Sequence, residues 1–204
     1  MSPIAATLLL LPRLSALMIP LEAPPVLNSP VFSLATINGD GSTNMNILTY
    51  ATPVGIQPRT WAISLYRKTA SHANFVSQRA GVLQLLCAPH ASLVYPLGGK
   101  SGADTNKEAA CAAAGFPWLA LPTGERLLPQ CTSYLRLVQV GELVNAGEHD
   151  VAICRVEEMF AEDGPCAAAP LSTACEKPLC TAALRDAGLI TDRGRAVEPY
   201  TGAC

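Results

Sequence analysis

Charge is scarce in this chain: Asp, Glu, Lys and Arg together make up 15% of its 204 residues, and the formal net charge is −2. No run of Lys and Arg appears. The basic cluster that displaces counterions from a nucleic-acid backbone is therefore missing, and no nucleic-acid partner is expected. Histidine is equally sparse, with only His72, His90 and His149, which argues against a histidine-built metal site. The eight cysteines contain no C-x-x-C pair, so no zinc site is expected either. The chain is longer than the short secreted proteins that need staples, and Cys87 and Cys154 sit in apolar, strand-like runs. The thiols are expected to be reduced and mostly structural. The serine-hydrolase pattern G-x-S-x-G is absent. Gly99-Lys100-Ser101 looks like the end of a phosphate-binding P-loop, but Val94 stands where that loop needs its first glycine, so the reading fails.

Long apolar runs are also lacking. Leu8 to Leu11 is ended by Pro12 and Arg13, and the Ala-rich stretch from Ala109 to Leu121 is broken by Gly115 and Pro117. Both fall short of the ~18 apolar residues a membrane helix needs, so no membrane partner is expected. No basic region precedes Leu8, as a secretory signal would require. Residues 1–25 are read as a leader or a first strand and residues 26–204 as a single domain. The expected location is the cytoplasm, with a plastid or other organelle as the alternative, because the stretch before Glu22 is free of acidic residues.

What the chain has in quantity is apolar mass. Half its residues are hydrophobic and its mean hydropathy is +0.27, enough for a sizeable core in one domain. Val31 to Ile37 reads as a strand, Asn38-Gly39-Asp40-Gly41 as a tight turn and Ser42 to Ala51 as the return strand. Pro53, Gly55 and Pro58 should break the chain before a third strand, Thr60 to Tyr66. Thr69 or Ser71 can cap a helix running to about Arg79, with Phe75 and Val76 as its apolar contacts and Gly81 as its stop. Further strands are expected at 82–88, 134–144 and 151–158, the last two around the turn 145–149. Short helices are expected at 106–114 and 181–187. Strands dominate without βαβ alternation, which predicts an antiparallel β-barrel with peripheral helices.

With no catalytic motif of its own in view, the chain is expected to leave the chemistry to a bound cofactor. One local constellation stands out. The third strand ends in Arg67, Lys68, Thr69 and Ser71 at the entrance of a helix. Two cations, two hydroxyls and free helical N–H groups would make a phosphate cradle. An ordinary helix cap on a solvated strand end remains the alternative.

Taken in order, four stretches resemble the flavin reductase-like FMN-binding proteins with the split β-barrel fold. They are Val31-Phe-Ser-Leu-Ala-Thr with the Asn-rich Asn44-x-Asn46 strand; Tyr66-Arg-Lys-Thr-Ala-Ser71; Leu97-Gly-Gly-Lys-Ser-Gly102 with Asp104 and Lys107; and Gly147-Glu-His-Asp150 running into Val156. The stretch 184–195 also looks like relatives. Two departures are clear: Tyr50-Ala-Thr-Pro53 replaces a pair of serines, and Glu148 replaces an Asp.

The resemblance implies a homodimer with FMN at the interface and NAD(P)H as hydride donor, which makes the chain an oxidoreductase and flavoprotein. Asn46, Ile47, Leu48 and Thr49 would face the isoalloxazine largely through backbone groups. Arg67, Lys68, Thr69 and Ser71 would take the phosphate, with Ser101 and Gly102 in the adjoining loop. His149 would meet the nicotinamide or acceptor as the candidate catalytic residue. The alternatives are a flavin-binding protein without significant turnover and a haem-binding split barrel.

Overall fold

The structure is a computed structural model that describes residues 25–102, 105–162 and 177–198, together with Glu22. The expected leader or first strand therefore lies almost wholly outside the described residues, as do Asp104, Cys166, Cys175 and Cys204.

Among the described residues, ten strands and three α-helices follow one another as β1 Phe32–Ile37, β2 Thr43–Leu48, β3 Ala51–Gly55, β4 Thr60–Tyr66, α1 Ala70–Gln78, β5 Ala80–Leu85, α2 Lys107–Ala113, β6 Leu119–Ala120, β7 Arg126–Leu127, β8 Ser133–Gln139, β9 Val144–Ala146, β10 His149–Phe160 and α3 Thr181–Asp186. A 3-10 turn Ala88–Leu93 and a π-helical turn Tyr95–Gly99 lie between β5 and α2. Every pairing among the strands is antiparallel. The main sheet runs in the order β2-β1-β5-β8-β10-β4-β3, with β9 on the side of β10.

The two ends of that order are adjacent in sequence, and this closes the barrel. β2 pairs with β1, the chain bends at Thr49-Tyr50, and β3 then pairs with β4. At the bend the Ser64 N–H donates to the Tyr50 carbonyl at 2.9 Å. One bent strand thus serves two neighbours that splay apart around it, as strands do when they turn a corner between sheets. The result is a split β-barrel.

Both faces of the sheet are covered. Phe32, Leu34, Ile63, Leu65, Phe75 and Leu137 belong to a core inside the barrel. Val31, Ala35, Met45, Leu97, Cys111 and Leu184 belong to a second core outside it. Successive residues of a strand point to opposite faces, so β1 is buried on both and shows no polar alternation. The C-terminal segment builds part of the outer core. Leu179 accepts from Val31 N–H at 2.8 Å and donates to the Leu86 carbonyl at 2.8 Å, threading between the start of β1 and the end of β5.

Several expectations need correction. The return strand ends at Leu48 rather than Ala51, and Pro53 lies within β3 rather than ending strand structure. β3 is an edge strand, where a missing N–H costs no ladder bond. α1 is stopped by Arg79 in the left-handed region (φ 57°), not by Gly81. Gly81 serves β5 instead: a Cβ there would come within 2.9 Å of the Ala35 carbonyl oxygen. Phe75 is fully buried, but Val76 is 46% exposed. The strand expected at 134–144 ends at Gln139, and its last residue belongs to β9, which forms the hairpin with β10.

Candidate functional site

Two regions along the bent strand bring the candidate residues together. At the start of β2, Asn44 Nδ2 donates to Ser71 Oγ at 2.8 Å, tying the hairpin to the first turn of α1. The loop after the π-helical turn folds onto the same place: a Cβ on Gly102 would lie 3.1 Å from Asn44 Oδ1. The Arg67–Ser71 unit and the Ser101-Gly102 loop, thirty residues apart in sequence, therefore share one corner of the barrel.

Within the corner the four cradle candidates do different things. Thr69 caps α1, accepting from His72 N–H at 3.2 Å and donating to the Tyr66 carbonyl at 2.7 Å. The first-turn amides of Ala70 and Ser71 have no backbone acceptor among the described residues. Lys68 is exposed and makes no ion pair among the described residues. Ser71 is buried, with its hydroxyl engaged by Asn44. Arg67 is committed as well: its Nε and Nη2 reach Asp150 Oδ1 at 3.0 and 2.5 Å.

Asp150 is a site residue that no motif in the sequence marks, and His72 is its second partner. His72 Nε2 lies 2.8 Å from the other carboxylate oxygen. The only sequence signal was alternation: on β10, Asp150 must face away from His149. Arg67 first and His72 second hold the Asp150 carboxyl below the usual carboxylate range. A group depressed in the folded state adds stability above its unfolded pKa and loses it as pH falls through the folded value. Wild-type protein is therefore expected to lose urea resistance below about pH 4, where free carboxyls titrate. Asp150→Asn should be less stable at pH 7 and lose less on acidification; parallel profiles for the two proteins would contradict the clamp.

Lys107 is the other residue whose role the sequence concealed. It is buried, and its Nζ donates to the carbonyls of Met45 at 2.8 Å and Leu97 at 2.9 Å. It thus pins the π-helical turn to β2. Burial pulls its pKa down to about 8. The unfolded chain keeps that proton to about pH 10.4, so this group makes stability rise between about pH 8 and pH 10.4. The buried Cys111 and Cys154 thiols, pushed up by burial, act oppositely in that range. The test is therefore the difference from Lys107→Met, whose stability deficit should widen with pH; a constant deficit would rule out the titration.

The second region is the bend. Asn46 is half-buried and its Oδ1 accepts from Leu34 N–H at 3.3 Å. Ile47 packs on the outer core and Leu48 in the barrel. Among the described residues β2 has no strand partner on its far side, so it is backbone that this stretch leaves open to a ligand. Thr49 opens a groove of about 430 Å³ that runs between Asn28–Pro30 and the outward residues Ala62, Ser64 and Val151. The Thr49 and Ser64 hydroxyls line it without a hydrogen-bond partner among the described residues. His149 sits beyond its rim, packed between Tyr50 and Tyr66 with ring centroids 5.9 and 5.2 Å away.

The third histidine is structural. His90 is fully buried, accepts from Cys87 N–H at Nδ1 and donates from Nε2 to the Pro129 carbonyl, a neutral tautomer set by its neighbours. Burial lowers its pKa. Among the described residues no three His, Cys, Asp or Glu side chains meet in a metal-binding group. No helix there is long and apolar enough to cross a membrane.

Residues 26–174 match the flavin reductase like domain, and the chain belongs to that family. It is 31% identical over 99 residues to the FMN reductase (NADH) RutF of Bradyrhizobium diazoefficiens, an alignment covering 48% of this chain and 51% of that protein. The chain thus spans about half the length of this curated relative. Among solved structures it is similar to flavoredoxin from Methanosarcina acetivorans, with a TM-score of 0.66 and 14% identity over 91% of this chain and 94% of that one. It is also similar to an FMN-binding protein from Thermus thermophilus, with a TM-score of 0.61 and 19% identity over 79% and 84% of the two chains. At such identities these two likenesses speak for the fold.

Proposed function

We propose that the protein is a flavin reductase that binds FMN and accepts hydride from NADH or NADPH, working as a cytoplasmic homodimer. The observation that carries this reading is the corner at α1, in a chain of the flavin reductase-like family. There the exposed Lys68, without an ion pair among the described residues, stands beside two first-turn amides that have no backbone acceptor among them. A phosphate fits that donor set, since charge, N–H groups and helix dipole all favour an anion. The Bradyrhizobium relative, an FMN reductase (NADH), supports the same reading.

Lys68 and the Ala70 and Ser71 amides would hold the phosphate, while Arg67 stays with Asp150 and braces the β4–α1 connection. Open backbone along Asn46–Thr49 would lie along the flavin ring, with Ser101 and Gly102 flanking the phosphate end. The bound flavin supplies the hydride chemistry; the chain supplies position and electrostatics. His149 would meet the nicotinamide or the acceptor at the rim. Val54 and Ile56, 53% and 86% exposed at and just beyond β3, offer apolar surface for a second copy. Among the described residues Cys111, Cys154 and Cys180 are free thiols, as suits a reducing compartment.

The test is titration of the purified protein with FMN, followed by anaerobic addition of NADH or NADPH. Quenching of flavin fluorescence and bleaching of its visible absorbance are expected. A protein that leaves both unchanged would overturn the reading. His149→Ala should slow the bleaching and leave FMN affinity intact; an unchanged single-turnover rate would remove His149 from the chemistry.

A further inference from the structure

A chain of side-chain hydrogen bonds runs from the tip of the β1–β2 hairpin to the first turn of α1, and its polarity is fixed from one end. In the hairpin turn, Ser42 Oγ donates to Asp40 Oδ1 at 2.6 Å. A carboxylate only accepts, so the Ser42 hydroxyl proton is committed there. Ser42 Oγ accepts in turn from Asn38 Nδ2 at 2.9 Å. That leaves Asn38 Oδ1 for α1, where Asn74 Nδ2 donates to it at 2.8 Å and to Thr36 Oγ1 at 3.2 Å.

Thr36 passes the polarity on. It is buried and stands opposite Asn44 in the pairing of β1 with β2. Its hydroxyl proton goes to the Asn44 backbone carbonyl at 3.5 Å, and Asn74 takes one lone pair. A hydroxyl has two lone pairs, so what remains for the Asn44 side chain is an acceptor. Asn44 must therefore present its NH2 group, and Nδ2 lies 3.4 Å from Thr36 Oγ1 and 2.8 Å from Ser71 Oγ. Both amide hydrogens of Asn44 are thereby used.

The end of the chain is Ser71. Its hydroxyl oxygen accepts from Asn44, and its hydroxyl hydrogen has no acceptor among the described residues. Ser71 is 1% exposed, and a buried donor without an acceptor is costly. An anion at the head of α1 would supply the acceptor, beside the Ala70 and Ser71 amides that also lack a backbone one among the described residues. Had the amide of Asn44 faced the other way, its oxygen would consume the Ser71 hydrogen and nothing would be left to donate.

We infer that Asn44 is a positioning residue: as the last link of a hydrogen-bond chain oriented from Asp40, it holds the Ser71 hydroxyl as a donor to an anionic oxygen at the first turn of α1. The inference rests on the proposed function for the identity of that anion, the FMN phosphate. It also gives the corner a means of choosing between flavins, because a charged oxygen accepts roughly twice as strongly as a neutral hydroxyl such as riboflavin offers.

The test is fluorescence-quenching titration of the full chain with FMN and riboflavin in Ser71→Ala, Asn44→Leu and the double variant. Each single change should lower FMN affinity about tenfold, as loss of one hydrogen bond to a charged group predicts, and leave riboflavin affinity unchanged. The double variant should lose no more than either single one, because Asn44 acts through Ser71. Wild-type FMN affinity in Ser71→Ala would overturn the inference. So would losses that multiply in the double variant, or an Asn44→Leu protein that loses both flavins alike, as a merely structural residue would. Should Asn44→Leu fail to fold, Thr36→Val replaces it, since it keeps the shape and removes the hydroxyl that orients the amide. It should cost FMN about threefold or more in the wild-type background and nothing in Ser71→Ala; no loss in either would overturn the inference. Inorganic phosphate, followed by the Ala70 and Ser71 amide shifts, separates the two proposals. Phosphate binding that Ser71→Ala and Asn44→Leu both weaken, in a protein that takes no FMN, would refute the proposed function and leave the inference standing.

Discussion

Lys68→Ala is expected to weaken FMN about tenfold to a hundredfold while leaving riboflavin affinity unchanged. Riboflavin lacks only the phosphate, and a hydrogen bond to a charged group contributes roughly 1.5–3 kcal/mol. The specificity of the effect for Lys68 follows from its neighbour. Both cations stand at the head of α1, but Arg67 spends its fork on Asp150, whereas Lys68 has no partner among the described residues. Arg67→Ala should therefore lower stability more than it lowers phosphate affinity, because it leaves Asp150 with His72 alone. Fluorescence-quenching titrations with both flavins, on both variants, decide the matter. If Lys68→Ala loses FMN and riboflavin alike, or loses neither, the phosphate is held elsewhere.

The largest effect on stability is expected from Phe75→Ala. Phe75 is the fully buried side chain that α1 contributes to the core inside the barrel. Removing a buried Phe side chain costs about 3–5 kcal/mol, partly lost transfer energy and partly the cavity left behind. For a domain of this size that corresponds to a fall in melting temperature on the order of 10 °C. Val76, one position along and 46% exposed, is the internal control: Val76→Ala should stay within about 0.5 kcal/mol of wild type, as surface changes do. Thermal unfolding of the two variants reads the contrast directly, and similar melting temperatures would mean that α1 is not anchored through Phe75. The consequence reaches the site, since Phe75 holds the helix whose first turn is the candidate phosphate corner. Phe75→Ala should therefore also blunt the discrimination between FMN and riboflavin.

Much of the architecture was legible in the order of residues. β1, β4 and the helices capped by Thr69 and Asn106 were expected at nearly their observed bounds. Each rests on a signal carried within a few residues: a β-branched run, a side-chain oxygen ready to accept an N–H, a turn of Asn and Gly. The barrel class and the corner where Arg67–Ser71 stands were legible for the same reason. Tertiary structure alone decided what happens where distant segments meet. The bend at Thr49-Tyr50 exists because β1 and β4 claim successive halves of one strand, and no local residue announces that competition. Arg67 looked like a ligand-binding cation until Asp150, 83 residues away, was found holding it. Lys107 stands out in the sequence only through the family-like stretch it follows, yet it is buried, where its ammonium meets the carbonyls of Met45, 62 residues away, and Leu97. Propensity and capping act over one or two turns of chain and can be read from it. Charge pairing and the satisfaction of buried carbonyls act through space, so which cation is free and which is structural is settled only when the barrel closes.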